Sequence, residues 1–251
     1  MICEETGIAP ETIIDFDLFF ADSQPSSYFG LDDDFISSPR LDNLFSSFHA
    51  ILAISESENT GSFINMAALF DHEECGSESA QGAGSPIVAQ TVRRIYKILC
   101  GDDGKSDNFE KTMQRSFLIS ADMAHSVHPN YWDKHQTAHQ IEINKGVGIK
   151  INHNQRYSSD LVSSSLLKII AKRCKVPVQE FIVKNDSPCG STIGPILASG
   201  TGIKAVDIGC GMLGMHSIRE TCGVLDGAYY QDLFKEFYAS FEKIDHDLLD
   251  H

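Results

Sequence analysis

Two adjacent carboxylates, Glu73 and Glu74, stand in the stretch 71–84, DHEECGSESAQGAG, directly after an apolar run at 63–70. That order puts them where a strand ends and a loop begins. In open α/β sheets this edge, outside the carboxyl ends of the strands, is where ligands bind. Neighbouring carboxylates there can divide the chemistry, one holding a metal ion while the other, facing the opposite way, moves a proton. An acidic loop ahead of a helix N-terminus also suits the helix dipole, so this stretch alone leaves both readings open. Cys75, beside the pair, reads as a nucleophile or as a bystander thiol.

Three further residues of ligand type fall at expected element ends. Asp42 begins the helical pattern of Leu41, Leu44, Phe48, Ile51 and Leu52, where the plain reading is a helix cap. Asp122 follows the strand-like RSFLISA, and His216 follows GCGMLGM and opens a short helical SIRE. Carboxylates with one imidazole suit zinc, manganese or cobalt rather than calcium. A pair of such metals about 3.5–4 Å apart is a known hydrolytic arrangement. His125, His128, His135 and His139 lie in 123–139 without helical spacing, and surface histidines are expected among them. Lys150 sits inside an expected strand, which an ammonium tolerates when it faces water or a carboxylate.

The elements that must position these groups alternate. Strands are expected at 62–70, 115–122, 147–152, 180–186 and 203–209. Helices are expected at 41–52, 79–99, 158–175 (capped by Ser158 or Ser159) and 227–244, and 101–111 reads as a polar loop. Near the start, a short helical signal precedes a strand-like DFDLFFAD (15–22) and a loop with Pro25 and Gly30. Strands alternating with helices predict an α/β fold, a mixed sheet covered by helices on both faces.

With 251 residues, 42% of them hydrophobic, the chain can bury a full core. A net charge of −15 argues against nucleic acid or an anionic membrane as partner. Acidic residues near Met1 do not fit a secretion signal, and no apolar run approaches a membrane span. Seven cysteines without a CxxC pair fit reduced thiols in a cytoplasmic protein.

The strings RLDNL, DHEECGSESAQGA, SFLISADMAHSVHPNY, KINHNQRYSSD, VKNDSPCGSTIGPILAS and GMHSIRE stand in the order found in the aspartyl aminopeptidases, a family of co-catalytic zinc metallopeptidases. The resemblance covers roughly residues 1–240. It implies removal of amino-terminal Asp or Glu from peptides, with Glu73 as general base toward a water shared by two zinc ions. Asp42 is then the carboxylate bridging both metals, Glu74 and His216 complete one site, and Asp122 serves the other. His125, Lys150 and Tyr157 resemble substrate contacts, the Lys150 ammonium favouring an acidic side chain. A cis peptide after Asp42 is implied as well.

The resemblance has a gap. The family carries a further zinc histidine in an HxD motif well upstream of the position of Asp42, and no such motif precedes Asp42 here; His49 is the nearest histidine. The chain therefore looks like the carboxyl-terminal part of such an enzyme. Residues 1–30 resemble the close of the family's oligomerisation domain, and 31–251 the larger share of a catalytic domain. The alternative is a non-catalytic fragment that folds or acts only with full-length subunits. Homo-oligomers are the family's habit, and for this chain the expectation stays open.

Overall fold

The computed structural model describes residues 1–58, 62–101 and 107–249. In chain order they form α1 (Ile2–Thr6), β1 (Ser27–Phe29), β2 (Phe35–Ser38), α2 (Leu41–Glu56), α3 (Ile87–Cys100), α4 (Asn108–Gln114), β3 (Phe117–Ala121), β4 (Ala124–His125), β5 (Val147–Ile151), α5 (Leu161–Cys174), β6 (Val178–Ile182), α6 (Ile193–Thr201), β7 (Lys204–Gly209), β8 (Gly211–Leu213), β9 (Glu220–Gly223) and α7 (Val224–Leu249).

Four strands make a mixed sheet in the order β3-β7-β5-β6, parallel at β3–β7 and β5–β6 and antiparallel at β5–β7. Side chains alternate across it, as strand geometry requires. Phe117, Ile119 and Ala121 of β3, with Val206 and Ile208 of β7, face a core built with Leu166 and Ile170 of α5 and Tyr230 and Leu233 of α7. Leu118 faces the other way, toward Val88 of α3 and Leu197 of α6. The sheet is thus covered on both faces, as the alternating pattern predicts.

A second sheet of five short strands, order β1-β2-β9-β8-β4, has no counterpart among the sequence expectations. Strands of two to four residues present too little period to read. The two sheets are joined by continuous chain. β3 runs on toward β4 and β7 toward β8, side by side, with the amides of Asp122 and Ala124 donating to the carbonyls of Ile208 and Cys210. Asp122 lies at this seam. The approach is close enough that a Cβ on Gly209 would sit 2.2 Å from the Asp122 carbonyl oxygen.

Several expectations are corrected. Residues 62–70 form no strand; a strand needs a neighbour for its ladder, and none is paired with this run among the described residues. Its Ile64 and Leu69 are exposed. DFDLFFAD is likewise unpaired, with Phe19 and Phe20 in solvent. The helix expected from 79 begins at Ile87, because turns at 77–85 intervene, where the Gly84 amide donates to the Ser77 carbonyl at 3.0 Å. SIRE is not helical and leads into β9. Of the polar loop 101–111, residues 102–106 lie outside the described residues, and its end begins α4.

The cap of α5 is Asp160, not Ser158 or Ser159. Its carboxylate accepts the Ser163 amide at 2.7 Å, and its own amide donates to the Ser163 hydroxyl at 3.0 Å. The preceding serines are engaged by the fully buried Asp207 of β7, whose amide donates to the Ser159 hydroxyl at 2.9 Å. Ser158 donates to its Oδ2 through amide and hydroxyl, each at 2.6 Å, while Thr192 donates to Oδ1 at 2.6 Å. Asp207 thereby ties the turn bearing Tyr157, and the loop before α6, to the middle of the sheet.

Two glycine substitutions should move stability in opposite directions. Gly209→Ala, forcing a Cβ against the seam, should lower it by about 1–3 kcal/mol, the usual penalty of overpacking. Gly200→Ala, in α6 with open space around its Cβ position, should raise it by about 0.5–1 kcal/mol. Denaturant midpoints measure both, and equal shifts would contradict the seam contact.

Candidate metal centre

The chemistry-bearing residues come from segments far apart in the chain. Asp42 is the second residue of α2, but its backbone is not helical (φ −82°, ψ 109°) and its peptide bond to Asn43 is cis. Its side chain caps nothing; it points inward and is 5% exposed. Asn43 donates from Nδ2 to the Ala121 carbonyl at 2.8 Å, pinning this start against the end of β3. Glu73 and Glu74 lie in the irregular chain before α3, and His216 in the turn between β8 and β9.

These groups converge. Ligand atoms of Asp42, Glu74 and His216 all lie within 4.8 Å of one another. His216 Nε2 is 3.4 Å from Asp42 Oδ2 and 3.1 Å from Glu74 Oε2. Asp122 lies within hydrogen-bonding reach of Asp42. Behind it stands Lys150, 3% exposed, whose ammonium donates to Asp122 Oδ2 at 3.0 Å and to the Met123 carbonyl at 2.7 Å. The strand lysine thus faces a carboxylate. Tyr157, buried, places its ring 5.5 Å from the Lys150 ammonium.

So many acids in one place cannot all ionise easily. Burial, then the neighbouring Asp122 and Glu74, push the Asp42 carboxyl up to about 9 despite the opposing Lys150 ammonium. Burial and the same two carboxylates raise Glu73 to about 7. Burial also raises the Tyr157 phenol, assisted by the adjacent Cys189. His125 is held below its ordinary value by desolvation and then by the Lys150 ammonium.

The donor set fits a divalent cation. Carboxylate oxygens and an imidazole nitrogen are zinc ligand types, and three protein ligands is the count of a catalytic zinc site; Asp42 Oδ1 is also buried without a hydrogen-bond partner, which leaves a buried acceptor unsatisfied. Among the described residues, no other group of three metal-ligating side chains comes this close.

His49 lies in mid-helix on α2, its ring against Phe45 and Phe48, and burial lowers its pKa. His135 bridges to Val183, His139 contacts Glu180, and the His128 ring packs tilted against Tyr131. One residue of the site is not among the sequence candidates. Glu220, 2% exposed, accepts the Asp42 amide at Oε2 (2.9 Å) and the His216 amide at Oε1 (2.8 Å). Its only sequence signal is a position four residues after His216.

Residues 1–238 match the family described as Aminopeptidase I zinc metalloprotease (M18), and the chain belongs to this family. It is 48% identical over 251 residues to a probable aspartyl aminopeptidase of Ricinus communis, covering 98% of this chain and 50% of that protein. Aspartyl aminopeptidase 1 of Schizosaccharomyces pombe is 43% identical, covering 98% of this chain and 52% of its own length. Among solved structures, the chain superposes on one from the cryo-EM complex of Ape4 and Nbr1 with TM-score 0.87 and 42% identity, covering 96% of this chain and 46% of that one. The crystal structure of prApe1 gives TM-score 0.88 at 29% identity, covering 98% and 52%. The chain thus spans about half the length of the relatives it matches.

The raised carboxyls give a pH prediction. Asp42 and Glu73 bind their protons more tightly in the folded chain than in the unfolded one. The stability this contributes is fully present below the unfolded carboxylate value of about 4. It is lost as pH rises through about 7 and then about 9. Chelator-treated protein should therefore melt at falling temperature between about pH 4 and about pH 9, and zinc should restore most at the alkaline end. A flat profile would contradict the carboxylate crowding.

Proposed function

We propose that this chain carries the catalytic site of a zinc aminopeptidase that removes amino-terminal Asp or Glu from peptides. The observation that carries the reading is the convergence of Asp42, Glu74 and His216 on one point, with Glu73 beside it. Asp42, Glu74 and His216 would hold one ion. Asp42 would share a second with Asp122, for which no third ligand stands close among the described residues. A bound divalent cation supplies Lewis acidity there, lowering the pKa of water and stabilising negative charge on a carbonyl oxygen.

The chain's own residues supply the rest. Glu73 takes a proton from the attacking water and returns it to the departing amine; a carboxyl raised toward neutrality suits both transfers. Burial excludes bulk water from Asp42 and Asp122 and strengthens their fields. Lys150 has two of its three N–H donors engaged by Asp122 and Met123. The third, with the ammonium's charge, favours an acidic side chain at the cleft that His125 and Tyr157 flank. The free state of all seven cysteines accords with a reducing, cytoplasmic setting.

A second reading is favoured by a specific surface. Leu44, Phe48 and Ile51 of α2 are 59%, 62% and 45% exposed and follow one another at helical spacing, an apolar stripe that ordinarily packs against something. On that reading the chain acts only when joined to further polypeptide, as the half-length match to its relatives also suggests. A homo-oligomer is one form this joining takes; one structural neighbour is described as the dodecamer of S. cerevisiae mApe1.

One experiment separates the readings. Residues 1–251 are purified and zinc per chain is measured together with hydrolysis of a peptide bearing amino-terminal Asp. The expected result is about one tightly held zinc, since two carboxylates without an imidazole make a weak second site. Turnover should be small and should fall a further 10²–10⁴-fold in Glu73→Gln, roughly the worth of a general base. Tight binding of two zinc ions with turnover like that of a full-length relative would overturn the one-ion expectation. Absence of any tight zinc would overturn the site itself.

A further inference from the structure

We propose that Glu220 is the positioning residue that locks the two ligand-bearing segments of the metal centre together; this rests on the reading of Asp42, Glu74 and His216 as metal ligands. Asp42 and His216 lie far apart in sequence, on different elements. Neither is held by regular structure where its side chain projects. Asp42 departs from helical geometry at the start of α2. His216 has φ 68°, in the left-handed region that a residue with a Cβ adopts only at a steric cost. Such a conformation persists only where its surroundings over-determine it.

Glu220 supplies that over-determination. Its Oε2 takes the Asp42 amide at 2.9 Å and its Oε1 takes the His216 amide at 2.8 Å. Both contacts are charge-assisted, the stronger class of hydrogen bond. Without them, two amides at the edge of the cleft would lose their acceptors. With both oxygens engaged, the carboxylate has no freedom left to rotate, so the spacing between the two amides is fixed by one rigid group.

The backbone of Glu220 is fixed in turn. It pairs with Ser38 in the β2–β9 ladder, just before the turn that leads to Asp42. The neighbouring Arg219 donates from Nε to Ser37 at 3.0 Å, and from its terminal nitrogens to Asp22 at 2.9 Å and the Pro25 carbonyl at 2.6 Å. The five-stranded sheet therefore sets Glu220, and Glu220 sets the two ligands. It acts through their backbones.

Another buried carboxylate offers a control. Asp226, fully buried, accepts the amides of Asn144 at 2.8 Å and Gly146 at 3.2 Å in the same two-amide manner, but serves no ligand residue. A merely structural Glu220 would behave like Asp226.

The test uses the 251-residue chain, with zinc as the probe, its affinity measured by competition with a chromophoric chelator. Apo melting temperature and the visible absorption of the cobalt(II)-substituted protein are recorded alongside. Glu220→Gln, which puts an amide N–H against one of the two donors, should weaken zinc about 10–100-fold, the usual effect of losing an outer partner of a metal ligand. It should also alter the cobalt spectrum. Asp226→Asn should lower the melting temperature and leave both metal readouts unchanged. If Glu220→Gln does not fold, Glu220→Asp, which keeps the charge on a side chain one methylene shorter, takes its place with the same expectation. Zinc affinity and cobalt spectrum unchanged in the Glu220 variant would overturn the proposal, as would equal weakening in Asp226→Asn. His216→Ala distinguishes the levels: if it too binds zinc like the parent, the metal reading itself fails.

Discussion

Like charges crowded at a buried point are the constraint on which the rest of this structure depends. Asp42 and Glu73, raised first by burial, are raised further by Asp122 and Glu74 beside them, and such a cluster is unfavourable unless something positive completes it. Lys150 supplies part of that charge from within β5, and His216 lies against Asp42 and Glu74. A divalent cation would supply the remainder. The two sheets, the seam between them and the glycine at 209 can all be understood as the means of holding these acids in place.

What the sequence discloses and what it hides follow from range. Lys150 inside an apolar strand is expected to face water or a carboxylate, and it faces Asp122 at another strand's end. The alternating elements predict a covered sheet because β3, β5, β6 and β7 are long enough to show a period. The short strands around Glu220 are not, and their pairing is a tertiary fact: β2 and β9 are distant in sequence and meet only in the fold. Four residues of SIRE suggest a helix, but the β8–β9 pairing overrides that local propensity. Asp42 has the look of a cap for the same reason. Composition at a helix start cannot reveal that the carboxylate turns inward.

The run at 62–70 shows the opposite failure. Its apolar residues have the makeup of a strand, yet no ladder partner takes it up among the described residues, and several of its large side chains face solvent. Apolar content declares a need for burial without naming the surface that satisfies it. The same holds for the stripe on α2. Beside these exposed faces the candidate metal centre is well organised, with Asp42, Lys150 and Glu220 all buried or nearly so at the side-chain level.

The most direct measurement is an anomalous difference map at the zinc absorption edge, from crystals of this chain grown with zinc. The account predicts a peak about 2.0–2.2 Å from carboxylate oxygens of Asp42 and Glu74 and from a ring nitrogen of His216. A peak bound by other residues, or none at this point in well-ordered crystals, would contradict it.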